Sequence, residues 1–158
     1  MVSGRKIAVV TGSSKGVGRA IALTFAKSGE YLGIVVNSRK QAEAQEVSDE
    51  IKSLGCYSIA IEADMSKESD CIRLIDETAK HYGRIDVLVN NAGIQQEVPF
   101  EDTSTAVWQK IIAVDLTGPF VCSREAVKHM LNQTQKAAFG AAADEFSDEN
   151  LGKVEVVG

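Results

Sequence analysis

Cysteine is scarce and scattered in this chain of 158 residues: Cys56, Cys71 and Cys122 are odd in number, widely spaced and form no Cys-x-x-Cys pair. That disfavours a disulfide framework and a metal site, and the three read as reduced packing residues in a cytoplasmic protein. Long apolar runs are lacking too. No stretch approaches the roughly 20 residues that cross a bilayer, and the N-terminus carries no apolar signal-peptide core. Positive charge is also short, with 17 Lys and Arg against 22 Asp and Glu for a net charge of −5. This balance argues against nucleic acid or an anionic membrane as the main partner, while leaving room for a local basic patch around a phosphate. No internal repeat is visible. The expectation is one globular domain, long enough to bury about two-thirds of its unfolded surface.

What the chain does have is a glycine-rich turn between two patterned segments. Thr11-Gly12-Ser13-Ser14-Lys15-Gly16-Val17-Gly18 follows the apolar run Ile7–Val10 and leads into Arg19–Ala26, where apolar residues recur at helical spacing. Strand, turn and helix in that order present backbone N–H groups and the positive end of a helix to a phosphate. Gly12 suits the tight turn, Gly16 lets the backbone approach a pyrophosphate, and Gly18 lets the helix pack closely on the strand. A glycine triplet alone is weak evidence, and a purely structural turn is the competing reading. The strand before it and the helix after it favour a dinucleotide site.

Further along, Tyr31–Val36 reads as a second buried strand after a helix capped by Gly29. Ala44, Val47, Ile51 and Leu54 mark one face of a helix over 40–54, which Gly55 ends. Tyr57–Ile61 is a third strand, and Ser66 is placed as the N-cap of a helix running to about His81. Ile85–Val89 is a fourth strand, ending in Asn90-Asn91-Ala92-Gly93. A helical region spans about 103–131, with Val107, Ile111, Val114, Val121, Val127 and Met130 at helical spacing and Gly118-Pro119 expected to kink it. Trp108 is assigned to the core, and His81 and His129 to helix ends where a cation suits the dipole. Strands alternating with helices imply an α/β fold, a doubly wound parallel sheet layered between helices. A ligand then sits beyond the carboxyl ends of the strands, where the glycine turn, Asn37–Arg39, Asp64 and Asn90–Gly93 converge.

These residues resemble the short-chain dehydrogenase/reductase family. The Thr-Gly-x-x-x-Gly-x-Gly pattern at 11–18, Asp64 after the third strand and Asn-Asn-Ala-Gly at 90–93 are its motifs, in its order and spacing. Trp108, the segment 115–120 and Ser123-Arg124-Glu125-Ala126 extend the resemblance, which covers residues 5 to 131. It implies a Rossmann-type fold binding NAD(P) and reversible hydride transfer between nicotinamide and an alcohol or carbonyl. By the same resemblance Gly12, Ser14, Lys15, Gly16, Val17 and Gly18 hold the coenzyme. Asp64 holds the adenine amino group with backbone help from Met65, and Asn90, Ala92 and Gly93 line the nicotinamide ribose. An acid ahead of a helix and a generic turn are the plainer readings of Asp64 and of residues 90–93.

Coenzyme choice rests on the end of the second strand. A carboxylate there accepts from a ribose 2′-OH and repels a 2′-phosphate. This chain has Asn37-Ser38-Arg39 instead, so Arg39 can pair with a phosphate while Lys15 adds charge from the glycine turn. NADP is favoured, with NAD left open and solvated surface cations as the alternative.

The family pattern then fails. Carbonyl reduction there uses a Tyr whose acidity is raised by a Lys four positions on, beside a Ser. Tyr31, Tyr57 and Tyr82 are the only tyrosines, and none has Lys at that spacing. The relay Asn of the long helix is replaced by Asp115. From Asn132 the resemblance stops: 133–150 reads as a loop or short helix, and Gly152–Gly158 as a displaced fifth strand. The expected organisation is a coenzyme domain over 1–131 and an atypical tail over 132–158, with the sheet cut after its fourth or fifth strand. An exposed edge and apolar face predict a homo-oligomer, or a chain that needs its missing half. Any substrate is a small molecule, and a catalytically silent NADP-binding sensor, scaffold or subunit is the alternative function.

Overall fold

The computed structural model describes residues 6–145, with side-chain surroundings through residue 133. Strands β1 (Lys6–Val10), β2 (Tyr31–Ser38), β3 (Tyr57–Glu62) and β4 (Val87–Val89) form one sheet in the order β3-β2-β1-β4. Every pairing is parallel. Helices α1 (Gly16–Ser28), α2 (Gln41–Ser53), α3 (Glu68–Tyr82), α4 (Thr105–Ile112) and α5 (Gly118–Glu145) complete the described chain.

The apolar strand runs are buried on both faces, as a parallel sheet between two helical layers requires. Ala8, Val10, Ile34 and Val36 meet Ala22, Leu23 and Ala26 of α1 and Ala44, Val47 and Ile51 of α2. Their neighbours Val9 and Val35, with Ile61, face the other way, onto Cys71, Leu74 and Ile75 of α3 and Val121, Cys122 and Ala126 of α5. The period-two alternation of a strand assigns each residue to its layer. Each fully buried Ile or Leu contributes roughly 1.5–3 kcal/mol, so the two layers supply most of the driving force. Cys56, Cys71 and Cys122 are buried, and none of the three is in a disulfide. No helix among the described residues is long and apolar enough to cross a membrane.

The chain runs outward from β1 through β2 to β3, then crosses back to pair β4 with the other side of β1. That reversal opens a crevice at the carboxyl ends of β1 and β4. At the opposite end the start of β4 is tied by side chains. Ile7 N–H donates to Asp86 Oδ2 at 2.8 Å, and Asp86 N–H returns a bond to the Ile7 carbonyl at 2.9 Å. Ile85 N–H donates to Gln133 Oε1 at 2.7 Å, while Gln133 Nε2 donates to the Ile85 carbonyl at 3.0 Å. The expected strand from Ile85 is therefore shorter: the Gln133 amide takes the backbone groups that a ladder partner would take.

The long helical region also departs from expectation. Between α4 and α5 lies one wide turn, Ala113–Thr117, in which Gly118 N–H donates to the Ala113 carbonyl five residues back. Pro119 has no N–H for the Asp115 carbonyl, and widening the turn just before it absorbs that loss. Gly118 then lies so close to the Met65 carbonyl that a Cβ would collide with it. Trp108 is not in the core but 58 % exposed, and Val127 is exposed as well. The start of α3 falls at Glu68 with no side-chain cap, because Ser66 is engaged with Asp64 instead. His129 lies within α5 and pairs with Asp76 at 2.9 Å. The tail read as a loop or short helix continues α5 to Glu145. The displaced strand at 152–158 lies outside the described residues.

Candidate functional site

The cleft is built on a knot of buried polar groups at the end of β1. Thr11 Oγ1 donates to the Val89 carbonyl at 3.3 Å and accepts from the N–H groups of Asn91 and Ala92, both at 3.0 Å. Asn91 Nδ2 donates to the carbonyls of Thr11 (2.9 Å) and Gly12 (3.1 Å). On the other side, Asn37 Oδ1 accepts from Gly12 N–H at 3.0 Å, and its Nδ2 donates to the carbonyls of Ile61 (3.2 Å) and Ala63 (3.1 Å). Ser13 N–H donates to the Asn37 carbonyl at 2.9 Å, and Asn37 N–H donates to Ser13 Oγ at 3.0 Å. Two asparagines thus hold the glycine turn between β2 and β4. A buried amide whose bonds are all made rigidifies its surroundings.

Gly18 closes the turn against this knot. A Cβ there would collide with Asn91 Nδ2 and stand 2.5 Å from the Gly12 carbonyl, so only glycine lets α1 dock this tightly. Helix α1 has no side-chain cap and no acid in its first turn, whereas α2 and α3 begin with Glu43 and with Glu68 and Asp70. Its N-cap residue, Lys15, borders the crevice, and the positive end of an uncapped helix attracts an anion.

The crevice encloses about 550 Å³, a volume typical of small-molecule sites. Gly12, Ser14, Lys15, Asn37, Ser38, Arg39, Asp64, Met65, Ala92 and Gly93 all border it. Gly16, Val17 and Gly18, in the first turn of α1, are not among the residues that border it; Val17 is exposed and Gly18 buried. Asn90 Nδ2 reaches away from the turn, to Ser123 Oγ on α5 at 3.0 Å. Asp115, in the wide turn, accepts from Ile94 N–H at 2.9 Å and so ties α5 to the loop after β4. Asn37, though it borders the crevice, is 1 % exposed, and its side chain is spent on the backbone bonds described above.

Sequence reasoning left out several wall residues: Lys40, Glu43, Ala63, Ile94 and Val114. Glu43 is the most consequential. The one sign of it was an acid in the first turn of a helix that begins just past the end of a strand, and such a helix starts at the ligand edge of the sheet.

Charge in the crevice is mixed. Lys40 Nζ lies 2.9 Å from Glu43 Oε1, and Ser38 Oγ donates to Glu43 Oε2 at 3.1 Å. Lys40 foremost, then Ser38, hold the Glu43 carboxyl below its ordinary value against the opposing effect of burial. Burial pushes the Asp64 carboxyl up, but the N–H and hydroxyl of Ser66, with Lys67 and Arg39, more than offset it, and its value is lowered. Both acids are ionised at neutral pH. The crevice therefore offers cations and helix N–H groups for phosphate, carboxylates for hydroxyl or amino donors, and walls of Met65, Ile94 and Val114 for a ring. A phosphorylated nucleotide has that set of groups.

A family model described as short chain dehydrogenase matches residues 6–138. The chain is 40 % identical to glucose 1-dehydrogenase 2 of Bacillus subtilis (strain 168) over 134 residues, which are 83 % of this chain and 51 % of that protein. Two solved structures from Sinorhizobium meliloti 1021 share the fold. One, described as a short-chain alcohol dehydrogenase, has a TM-score of 0.76 at 31 % identity over 83 % of this chain and 51 % of its own. The other, a dehydrogenase/reductase, has a TM-score of 0.74 at 38 % identity over 78 % and 49 %. The chain thus spans about half the length of the relatives it matches. From the glycine turn held by its two asparagines to the matched relatives, the observations agree that the chain belongs to the short-chain dehydrogenase family.

Proposed function

We propose that these residues form the coenzyme-binding half of an NADP(H)-dependent oxidoreductase that moves hydride between nicotinamide and an alcohol or carbonyl. The observation that carries this reading is the uncapped start of α1 opening onto a crevice bordered by Lys15 and Arg39. The glycine turn, Gly12 to Gly18, holds the pyrophosphate. Lys15 and Arg39 take the 2′-phosphate, bidentately in the case of Arg39. Asp64, held ionised by Ser66, accepts from the adenine amino group, and Met65 covers the ring. Ala92 and Gly93 line the nicotinamide ribose, Asn90 braces their loop against α5 through Ser123 Oγ, and Asp115 fixes it through Ile94 N–H. The bound coenzyme supplies or takes the hydride.

A Tyr with Lys four places on, the pair that moves the proton in this family, is not among the 158. These residues by themselves bind coenzyme without appreciable turnover. The protein works in the cytoplasm on a small-molecule substrate. Leu116, Phe120, Val127 and Leu131 project from the wide turn and α5 between 49 % and 62 % exposed, an apolar stripe suited to a second copy in a homo-oligomer.

The test is a fluorescence titration of the purified chain with NADPH and NADH. Tighter binding of NADPH is expected, and equal dissociation constants contradict the NADP assignment. Rapid NADPH oxidation with a ketone or sugar contradicts the absence of turnover, and a stable monomer by mass measurement contradicts the assembly.

A further inference from the structure

The end of β2 carries no acid in the sequence, yet the structure places one across the crevice beside it. Glu43 rises from the first turn of α2, and its Oε2 accepts from Ser38 Oγ at 3.1 Å and from Ser14 Oγ at 3.5 Å. One carboxylate thus spans from the glycine turn to the end of β2. It borders the same crevice as Lys15 and Arg39. In dinucleotide folds the carboxylate at the end of this strand reads the ribose 2′ position.

We propose that Glu43 is the coenzyme-selecting carboxylate of this chain, accepting from a ribose 2′-hydroxyl and opposing a 2′-phosphate. The inference rests on the coenzyme reading of the crevice and adds a residue to it. A 2′-hydroxyl takes the place of Ser38 or Ser14 as donor, so nothing charged is displaced. A 2′-phosphate brought between Lys15 and Arg39 meets a like charge, and like charges set close together across a partly desolvated interface are costly. Lys40 moderates that repulsion, because its ammonium at 2.9 Å already balances the carboxylate. Lys15 and Arg39 pull toward the phosphorylated coenzyme while Glu43 pulls against it. The chain therefore keeps usable affinity for the unphosphorylated form, and its preference for NADPH is small.

Glu43→Gln keeps the shape and the acceptor and removes the charge. Its side chain is 42 % exposed; Glu43→Ala serves as a second variant should the glutamine disturb α2. Parent and variants are titrated with NADPH, NADH, adenosine 2′,5′-bisphosphate and AMP, read by fluorescence or calorimetry, with a thermal melt of each. The expected result is roughly tenfold tighter binding of NADPH and the bisphosphate in Glu43→Gln, as for removal of one nearby like charge. NADH and AMP bind equally or more weakly, and Glu43→Ala weakens NADH further. If the parent binds both coenzymes and the NADPH-to-NADH ratio moves less than about twofold in both variants, the role of Glu43 is overturned while the coenzyme site stands. If the parent binds neither, the coenzyme reading itself fails and this inference with it.

Discussion

The amide of Gly12 donates to the side-chain carbonyl of Asn37 at 3.0 Å, and through that bond a buried asparagine in β2 sets the conformation of the turn after β1. The same side chain donates to the carbonyls of Ile61 and Ala63, so one residue joins the carboxyl ends of β1, β2 and β3. Asn37→Ala leaves the Gly12 N–H without its acceptor and takes one donor from each of the Ile61 and Ala63 carbonyls. Its expected cost is about 2–3 kcal/mol of stability, since each orphaned buried group costs about 1–3 kcal/mol and water relieves some of it. A urea titration of parent and variant reads that loss. An unchanged midpoint contradicts the anchoring role.

Gly18→Ala is expected to be worse than its size suggests. The new methyl meets Asn91 Nδ2 and the Gly12 carbonyl, so either α1 shifts or the Asn91 bonds break. Overpacking of this kind costs about 1–3 kcal/mol. Coenzyme affinity falls with it, because the N–H groups of the first turn move. Melting temperature and an NADPH titration on the same samples check both parts. Full affinity in a variant of normal stability contradicts the close docking of α1.

Arg39→Ala tests the opposite arm of the selection from Glu43. Loss of a charged, exposed phosphate partner is expected to weaken NADPH by roughly tenfold while leaving NADH nearly unchanged, a charge-assisted bond being worth about 1.5–3 kcal/mol less the screening at an open site. The gap between the coenzymes narrows. Parallel weakening of both contradicts the assignment of Arg39 to the 2′ position.

Asp86 gives the fold a defined response to acid. Burial raises its carboxyl, but Arg84 and the Ile7 N–H outweigh that and hold it below its ordinary 3.8. A carboxyl depressed in the folded state stabilises fully above its unfolded value and loses that contribution as pH falls through the folded one. Thermal melts from neutral pH down to about pH 2 are expected to show a decline beginning near pH 4. Asp86→Asn lowers the melting temperature at neutral pH and flattens the decline. Equal acid sensitivity in parent and variant contradicts the role.

Much of this was legible in the sequence because local pattern and tertiary role agree. The runs Ile7–Val10 and Tyr31–Val36 could only be strands buried on both faces, and the alternation of strands and helices left a parallel sheet as the arrangement. Loops at the carboxyl ends of β1, β2, β3 and β4 then had to converge. What was hidden depends on contacts far apart in the chain. Glu43 enters the crevice only because α2 starts at its rim. Gln133 shortens β4 through a side-chain amide 48 positions away. Trp108 looked like core by its spacing, yet α4 turns it outward. Ser66 had the chemistry of a cap, and Asp64 competed successfully for it. Short polar side chains choose among nearby partners of similar strength, and the sequence does not rank those partners.

The ligand proposed for this crevice is a phosphorylated adenine dinucleotide. Calorimetry of the folded chain with NADPH, paired with a thermal melt at saturating coenzyme, tests it most directly. Measurable heat at one site is expected, together with a rise in melting temperature corresponding to about 2.7 kcal/mol at one hundred times the dissociation constant. A folded sample that shows neither heat nor a melting shift with NADPH or NADH contradicts the account.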